Sequence, residues 1–167
     1  MKKNPGPLVS VVMGSDSDLP IMKEAGEQLK QFGIPFEYFI TSAHRSPERT
    51  SDFARRAAPR GVKVIIVGAG AAAHLAGVIA SQTLLPVIGV PIEATPLGGL
   101  DALLSTVQMP GGIPVATMAI GKAGAKNAAL TAVRILALED KRLGKALAEF
   151  SRKMARDVEA KQEKLDA

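Results

Sequence analysis

Residues Ser42-Ala43-His44-Arg45 set a histidine beside an arginine, a pair able to do two jobs at once. Imidazole gives and takes protons near neutral pH, while guanidinium is a permanent cation shaped to hold phosphate or carboxylate. The chain has only two histidines in 167 residues. The residues just before, Phe36 to Ile40, are aromatic and β-branched and predict a strand. Pro47 suits the first position of a helix, with Ser46 as its N-cap. His44 and Arg45 would then stand at the carboxyl end of a strand, where open α/β sheets bind ligands. From this segment alone, a loop histidine bonded to backbone explains the residue as well as catalysis does.

Two other turns carry candidate chemistry. Met13-Gly14-Ser15-Asp16-Ser17-Asp18 follows an apolar run, and its glycine, hydroxyls and helix-start N–H groups make a plausible phosphate cradle. Asp18 could equally be an ordinary N-cap. Consecutive strands are usually neighbours, which would put this turn beside the His44 loop. Gly68-Ala69-Gly70-Ala71-Ala72-Ala73 matches the dinucleotide pattern G-x-G-x-x-A, with Glu93 about where a ribose-binding acid is sought. That fingerprint belongs on the first βα turn, however, and a nicotinamide reading leaves the His44 loop without a task. The small residues do ensure close backbone approach and a smooth apolar wall. His74, just beyond, reads as a structural histidine or a second ligand-facing one. Two histidines thirty residues apart, with no cysteine, make a poor metal-ligand set, so no metal is expected.

The elements that must hold these turns alternate regularly. Strands are expected at 8–13, 36–40, 64–67, 87–90 and 114–119. Helices are expected from about Asp18 to a stop at Gly33, then at 47–58, 73–83, 99–107 and 124–138. Five strands separated by helices imply a parallel sheet covered on both faces. Length and a 47% hydrophobic composition suit a single domain, 1–167, with its core at 8–138. The last stretch, about 141–165, is a long charged helix with one narrow stripe: Leu143, Leu147, Phe150, Met154, Val158 and Leu165. That stripe would cover its own domain or a neighbouring subunit. Together with the absence of Lys and Arg from 64–121, it predicts an oligomer.

Composition excludes several classes. With no cysteine there is no disulfide or thiolate chemistry, which fits a reducing cytoplasm. Residues 64–92 lack Asp, Glu, Lys and Arg, but Gly, Pro, His and Gln divide them into strand, loop, helix and strand. No membrane partner is therefore expected. The net charge of +5 gathers between Arg45 and Lys63, where Arg45, Arg49, Arg55, Arg56, Arg60 and Lys63 oppose only Glu48 and Asp52. Without Trp or basic–aromatic interleaving, a solvated helix face explains this better than nucleic acid, and a single substrate phosphate near Arg45 is a third option.

Four segments taken together resemble one family. Three are the turns described above, the third extended through His74 and Leu75. The fourth runs Leu103-Leu104-Ser105-Thr106-Val107-Gln108-Met109-Pro110-Gly111-Gly112-Ile113-Pro114-Val115-Ala116-Thr117. In this order they resemble the PurE family, the N5-carboxyaminoimidazole ribonucleotide mutases of purine biosynthesis, over about residues 9–138. The resemblance implies a flavodoxin-like three-layer α/β/α domain assembled as an octamer, with active sites at subunit contacts. It implies transfer of a carboxyl group from the exocyclic nitrogen to ring carbon C4 of an imidazole ribonucleotide, without ATP, metal or organic cofactor. By motif position, Ser15, Asp18 and Arg45 would bind substrate, Ser42 and Gly70 would lie close by, and His44 would move the proton. The sequence departs from the family at Ala71, Ala76 and Ser46, where glycine, proline and threonine are usual. A carboxylase branch using free CO2 is the alternative. That branch typically has lysine where Arg45 stands and lacks Val107-Gln108-Met109-Pro110, which favours the mutase.

Overall fold

The computed structural model describes residues 6–165. It divides into two compact units, Met1–Ala132 and Val133–Ala167. In the first, β1 (Val9–Met13) is buried at every position, as a strand with neighbours on both edges and helices on both faces must be. β2 (Phe36–Ile40) is half-exposed because it is an edge. β3 (Val64–Gly70) and β4 (Val87–Ile92) are again apolar and buried nearly throughout. β5 closes the other edge as Ala116–Thr117, shorter than the expected 114–119. Pro114 carries no N–H to extend the ladder backwards. Beyond the strand, Met118 N–H still donates to Gly89 O at 2.8 Å, so the segment keeps running beside β4.

All pairings are parallel, in the order β2-β1-β3-β4-β5. The chain leaves β1 in one direction to make β2 and returns across it to make β3. That reversal opens a crevice at the carboxyl ends of β1 and β3, the usual ligand position in an open α/β sheet. One face of the sheet packs Val12, Ile65, Val67 and Val87 against α2 (Pro47–Ala57), α3 (Leu75–Ala80) and Ala102 of α4 (Leu100–Val107). The other face receives α1 (Leu19–Gln31), whose Met22, Ala25 and Leu29 are fully buried at helical spacing. α5 (Lys122–Ala137) lies along α1, where Lys122 and Lys126 flank Glu24 at 3.8 and 3.3 Å.

α3 is only six residues long against the eleven expected over 73–83, because residues 68–74 are drawn into the site as strand end and loop. Residues 64–92 are thus two strands joined by a short helix. Among the described residues no helix is long and apolar enough to cross a membrane. The basic run lies along α2 and the turns that flank it, and several of its members find local partners. Arg60 pairs with Glu37, Arg55 donates to Gln82, and the Arg49 guanidinium lies 4.7 Å over the Phe39 ring.

In the second unit, Asp140 caps α6 (Lys141–Glu163) by accepting the Arg142 N–H at 2.9 Å. The Arg142 side chain beside it holds the Asp140 carboxyl below its ordinary pKa. Glu149 ties Arg152 and Arg156 together on the charged face. Of the apolar stripe, Leu143 is buried while Met154, Val158 and Leu165 are exposed.

Candidate active site

The turn after β1 is built by two side chains that bond back to its own backbone. Ser15 Oγ accepts the Ser17 N–H at 3.3 Å and Asp18 Oδ2 accepts the Ser15 N–H at 3.1 Å, a reciprocal capping box around a single 3-10 turn, Asp16–Asp18. Ser15, not Asp18, is therefore the capping residue. Asp18 stands at the N-cap position of α1 but makes no cap bond. One of its two usual targets, the N–H at the second helical position, does not exist because that residue is Pro20, and it does not take the other. The carboxylate turns back into the crevice instead. The cradle's N–H groups at Ser15 and Ser17 are thus largely satisfied from within, leaving hydroxyls and a carboxylate facing the site.

Asp18 is 7% exposed. Burial pushes its pKa above the usual carboxylate value, while the Ser15 and Gly14 N–H groups and the Arg45 charge pull the other way.

The turn after β2 carries Ser42, His44 and Arg45. Arg45 Nη2 donates to Gly14 O at 3.2 Å, tying this turn to the first. The pairing of β1 with β2 brings them side by side, as expected from strand order. Ser46 occupies the N-cap position of α2, yet its hydroxyl caps nothing. It points into the turn and accepts the Ser42 N–H at 3.1 Å.

The turn after β3 supplies the apolar wall. A Cβ on Gly68 would meet Met22 Sδ at 2.3 Å, and one on Gly70 would meet Ala94 Cβ at 2.5 Å. Both glycines of the G-x-G pattern are therefore required by packing against α1 and against the segment after β4. That removes the need for a dinucleotide to explain them. Ala71 follows with φ +52°, the one non-glycine residue among those described in the left-handed region.

His74 is the residue that sequence reasoning left unassigned. His44 Nε2 and His74 Nδ1 lie 2.9 Å apart, with the rings nearly perpendicular, so one nitrogen donates and the other accepts. Sequence alone left His74 as structural or ligand-facing; the pairing of β1 with both β2 and β3 sets the second and third turns around one crevice and brings the two histidines together. The available signal was that both histidines follow strands at the same edge of the sheet. Among the described residues no group of three His, Cys, Asp or Glu could hold a metal ion.

Ser15, Asp18, Ser42, His44, Arg45 and Gly70 all line one open cavity of about 400 Å³, together with Gly14, Ser17, Ala43, Ala69, Ala72, Leu75 and Ala94. Its chemistry is divided. Hydroxyls, a carboxylate and a guanidinium occupy the β1 and β2 side, and methyl groups and glycines the β3 and β4 side. Such a cavity suits a polar ligand with one end in a dry pocket next to an imidazole.

Comparison with known proteins places this arrangement. The model of the AIR carboxylase family matches residues 8–157. The chain is 56% identical over 164 residues to the N5-carboxyaminoimidazole ribonucleotide mutase of Pyrococcus horikoshii, covering 98% of this chain and 92% of that protein. It is 52% identical over 160 residues to the phosphoribosylaminoimidazole carboxylase of Saccharomyces cerevisiae, covering 96% of this chain but 28% of that longer protein. The crystal structure of Treponema denticola PurE superposes with a TM-score of 0.87 at 30% identity, over 96% of this chain and 99% of that one. With the family model spanning nearly its whole length, the chain belongs to the AIR carboxylase, or PurE, family.

Proposed function

We propose that the protein is an N5-carboxyaminoimidazole ribonucleotide mutase, with His44 as its proton carrier. The observation that carries the reading is His44 standing where the hydroxyl-rich turns meet the glycine–alanine wall, in a chain 56% identical to a named mutase. The chemistry requires such a group. Protonating the carbamate nitrogen breaks the N–CO2 bond and leaves the free amine and CO2. Attack of ring C4 on that CO2 forms the new C–C bond and leaves one ring proton to remove. An imidazolium that gives the first proton can, as imidazole, take the second, so the proton count closes on one residue. The apolar wall keeps water from the released CO2. Arg45 anchors the substrate's anionic end, Asp18 and Ser15 accept and donate at the ribose, and Ser42 and Gly70 border the reacting ring.

Residues 1–167 act as one functional domain in this reading, since the family model runs across both compact units. The enzyme works in the cytoplasm as a homo-oligomer, for which an octamer is the expectation. Leu97, Leu100, Leu104 and Val107 support assembly, being 49–64% exposed on α4 and the turn before it.

The test is to incubate pure protein with the carbamate, without ATP or metal, and follow the C4-carboxylated product. Formation of that product is expected. Turnover of the uncarboxylated ribonucleotide with bicarbonate, and none of the carbamate, would move the protein to the carboxylase branch.

A further inference from the structure

The turn that presents His44 is locked by hydroxyls that the reaction itself does not use. Thr41 and Thr50 are buried at 2% and 0% exposure, and their Oγ1 atoms lie 2.8 Å apart. Thr50 Oγ1 donates to Ser46 O at 3.1 Å, so its single proton is committed and Thr41 must donate to it. Ser46 Oγ lies 3.3 Å from Thr41 Oγ1 and donates to Ser42 O at 3.1 Å while accepting the Ser42 N–H. Ser42 Oγ in turn accepts the Arg45 N–H at 3.2 Å. The protons of Thr41, Thr50 and Ser46 are thereby assigned, and the bonds tie the end of β2 and the first turn of α2 to Ser42 and Arg45, the residues on either side of Ala43 and His44. Ser46 gives up the helix-capping bond its position invites in order to take part.

We infer that Thr41, Ser46 and Thr50 are positioning residues. They hold the backbone from Ser42 to Arg45 in the one turn that aims the His44 ring. This rests on the reading of His44 as proton carrier. Arg45 is held a second time at Gly14 O, and the His44 ring at His74 Nδ1. A guanidinium on a long flexible stem absorbs a shifted backbone, while a ring two bonds from the main chain does not. Slackening the turn therefore disturbs proton transfer more than substrate capture.

The test compares kcat and KM of Thr50→Val, which keeps shape and removes the hydroxyl, with Thr50→Ser, which restores it. Thr50→Val should lower kcat about tenfold and leave KM within about twofold, as expected for a slightly misaimed catalytic group. Thr50→Ser should recover the native kcat. Thr41→Val is the parallel variant should Thr50→Val fail to fold, with the same expected split. A native kcat in the folded Val variant, or a loss that serine does not repair, overturns the inference. His44→Asn separates the two ideas. If it is inactive while Thr50→Val is normal, only the positioning role falls. If it turns over normally, the reading of His44 falls with it.

Discussion

Ala71 offers a direct test of how the third turn is held. Its φ of +52° places an L-residue's Cβ against the adjacent carbonyl oxygen, which costs about 1–2 kcal/mol relative to a right-handed conformation. Glycine has no such penalty, but a glycine at any position loosens the unfolded chain by about 0.4–1 kcal/mol. The difference leaves Ala71→Gly more stable by roughly 0.8 kcal/mol. For a chain of this length that is a rise in melting temperature of about 2–3 °C. The control is Ala72→Gly, at the next residue along the same loop. Ala72 has no positive φ, so that variant should lose about 0.5–1 kcal/mol. Calorimetry on both, at matched protein concentration, gives shifts of opposite sign. If both variants melt lower by similar amounts, Ala71 is not strained in this turn. Activity measured alongside should not fall in Ala71→Gly, because the change removes a methyl group and moves no residue that faces the cavity.

Three further outcomes are expected. His44→Asn should leave a folded, assembled protein whose kcat in the carbamate assay is lower by about 10²–10⁴-fold, the usual worth of a general acid–base group. Asp18→Asn keeps an oxygen for the Ser15 N–H but removes a buried charge. Because the folded Asp18 pKa is raised, the native residue's relative contribution to stability is present below about pH 3.8 and is lost as pH rises through the folded pKa. The variant should therefore melt higher than the native protein at pH 7, with the gap closing as pH falls towards 4. It should also bind substrate about 10–100-fold more weakly, since a charged acceptor is lost. Leu104→Asp, on the exposed apolar row of α4, should yield smaller species by sedimentation while circular dichroism stays native. An unchanged sedimentation coefficient would remove α4 from the interface.

Much of the fold could be read because the physics is local. β1, β3 and β4 are apolar at nearly every position, which only a strand covered on both faces requires, and the helices between them keep a 3.6-residue rhythm. The misjudged boundaries lie where tertiary demands outweigh propensity. β3 runs three residues past its β-branched portion, through Gly68-Ala69-Gly70, because β4 pairs with it there to Ile92. α3 is short because its first residues form the site wall. Asp18 and Ser46 both carry capping side chains at capping positions, and both turn away from the helix. No propensity scale registers a cap diverted to hold a neighbouring turn.

The site shows the same division. The residues that the motifs single out do line one cavity, because each follows a strand and the order β2-β1-β3 sets their turns side by side. His74 escaped because its partner is thirty residues away and the bond between them exists only once β1 lies between β2 and β3. Chain distance was the wrong measure, since a parallel sheet folds every βα turn to the same edge. In such a protein, polar residues just past different strands should be compared with one another before they are compared with their sequence neighbours. By that measure His44 and His74 are candidates for one site from the outset, as are Asp18 and Arg45, while Glu93, though it follows β4, stays outside the cavity that Ala94 lines.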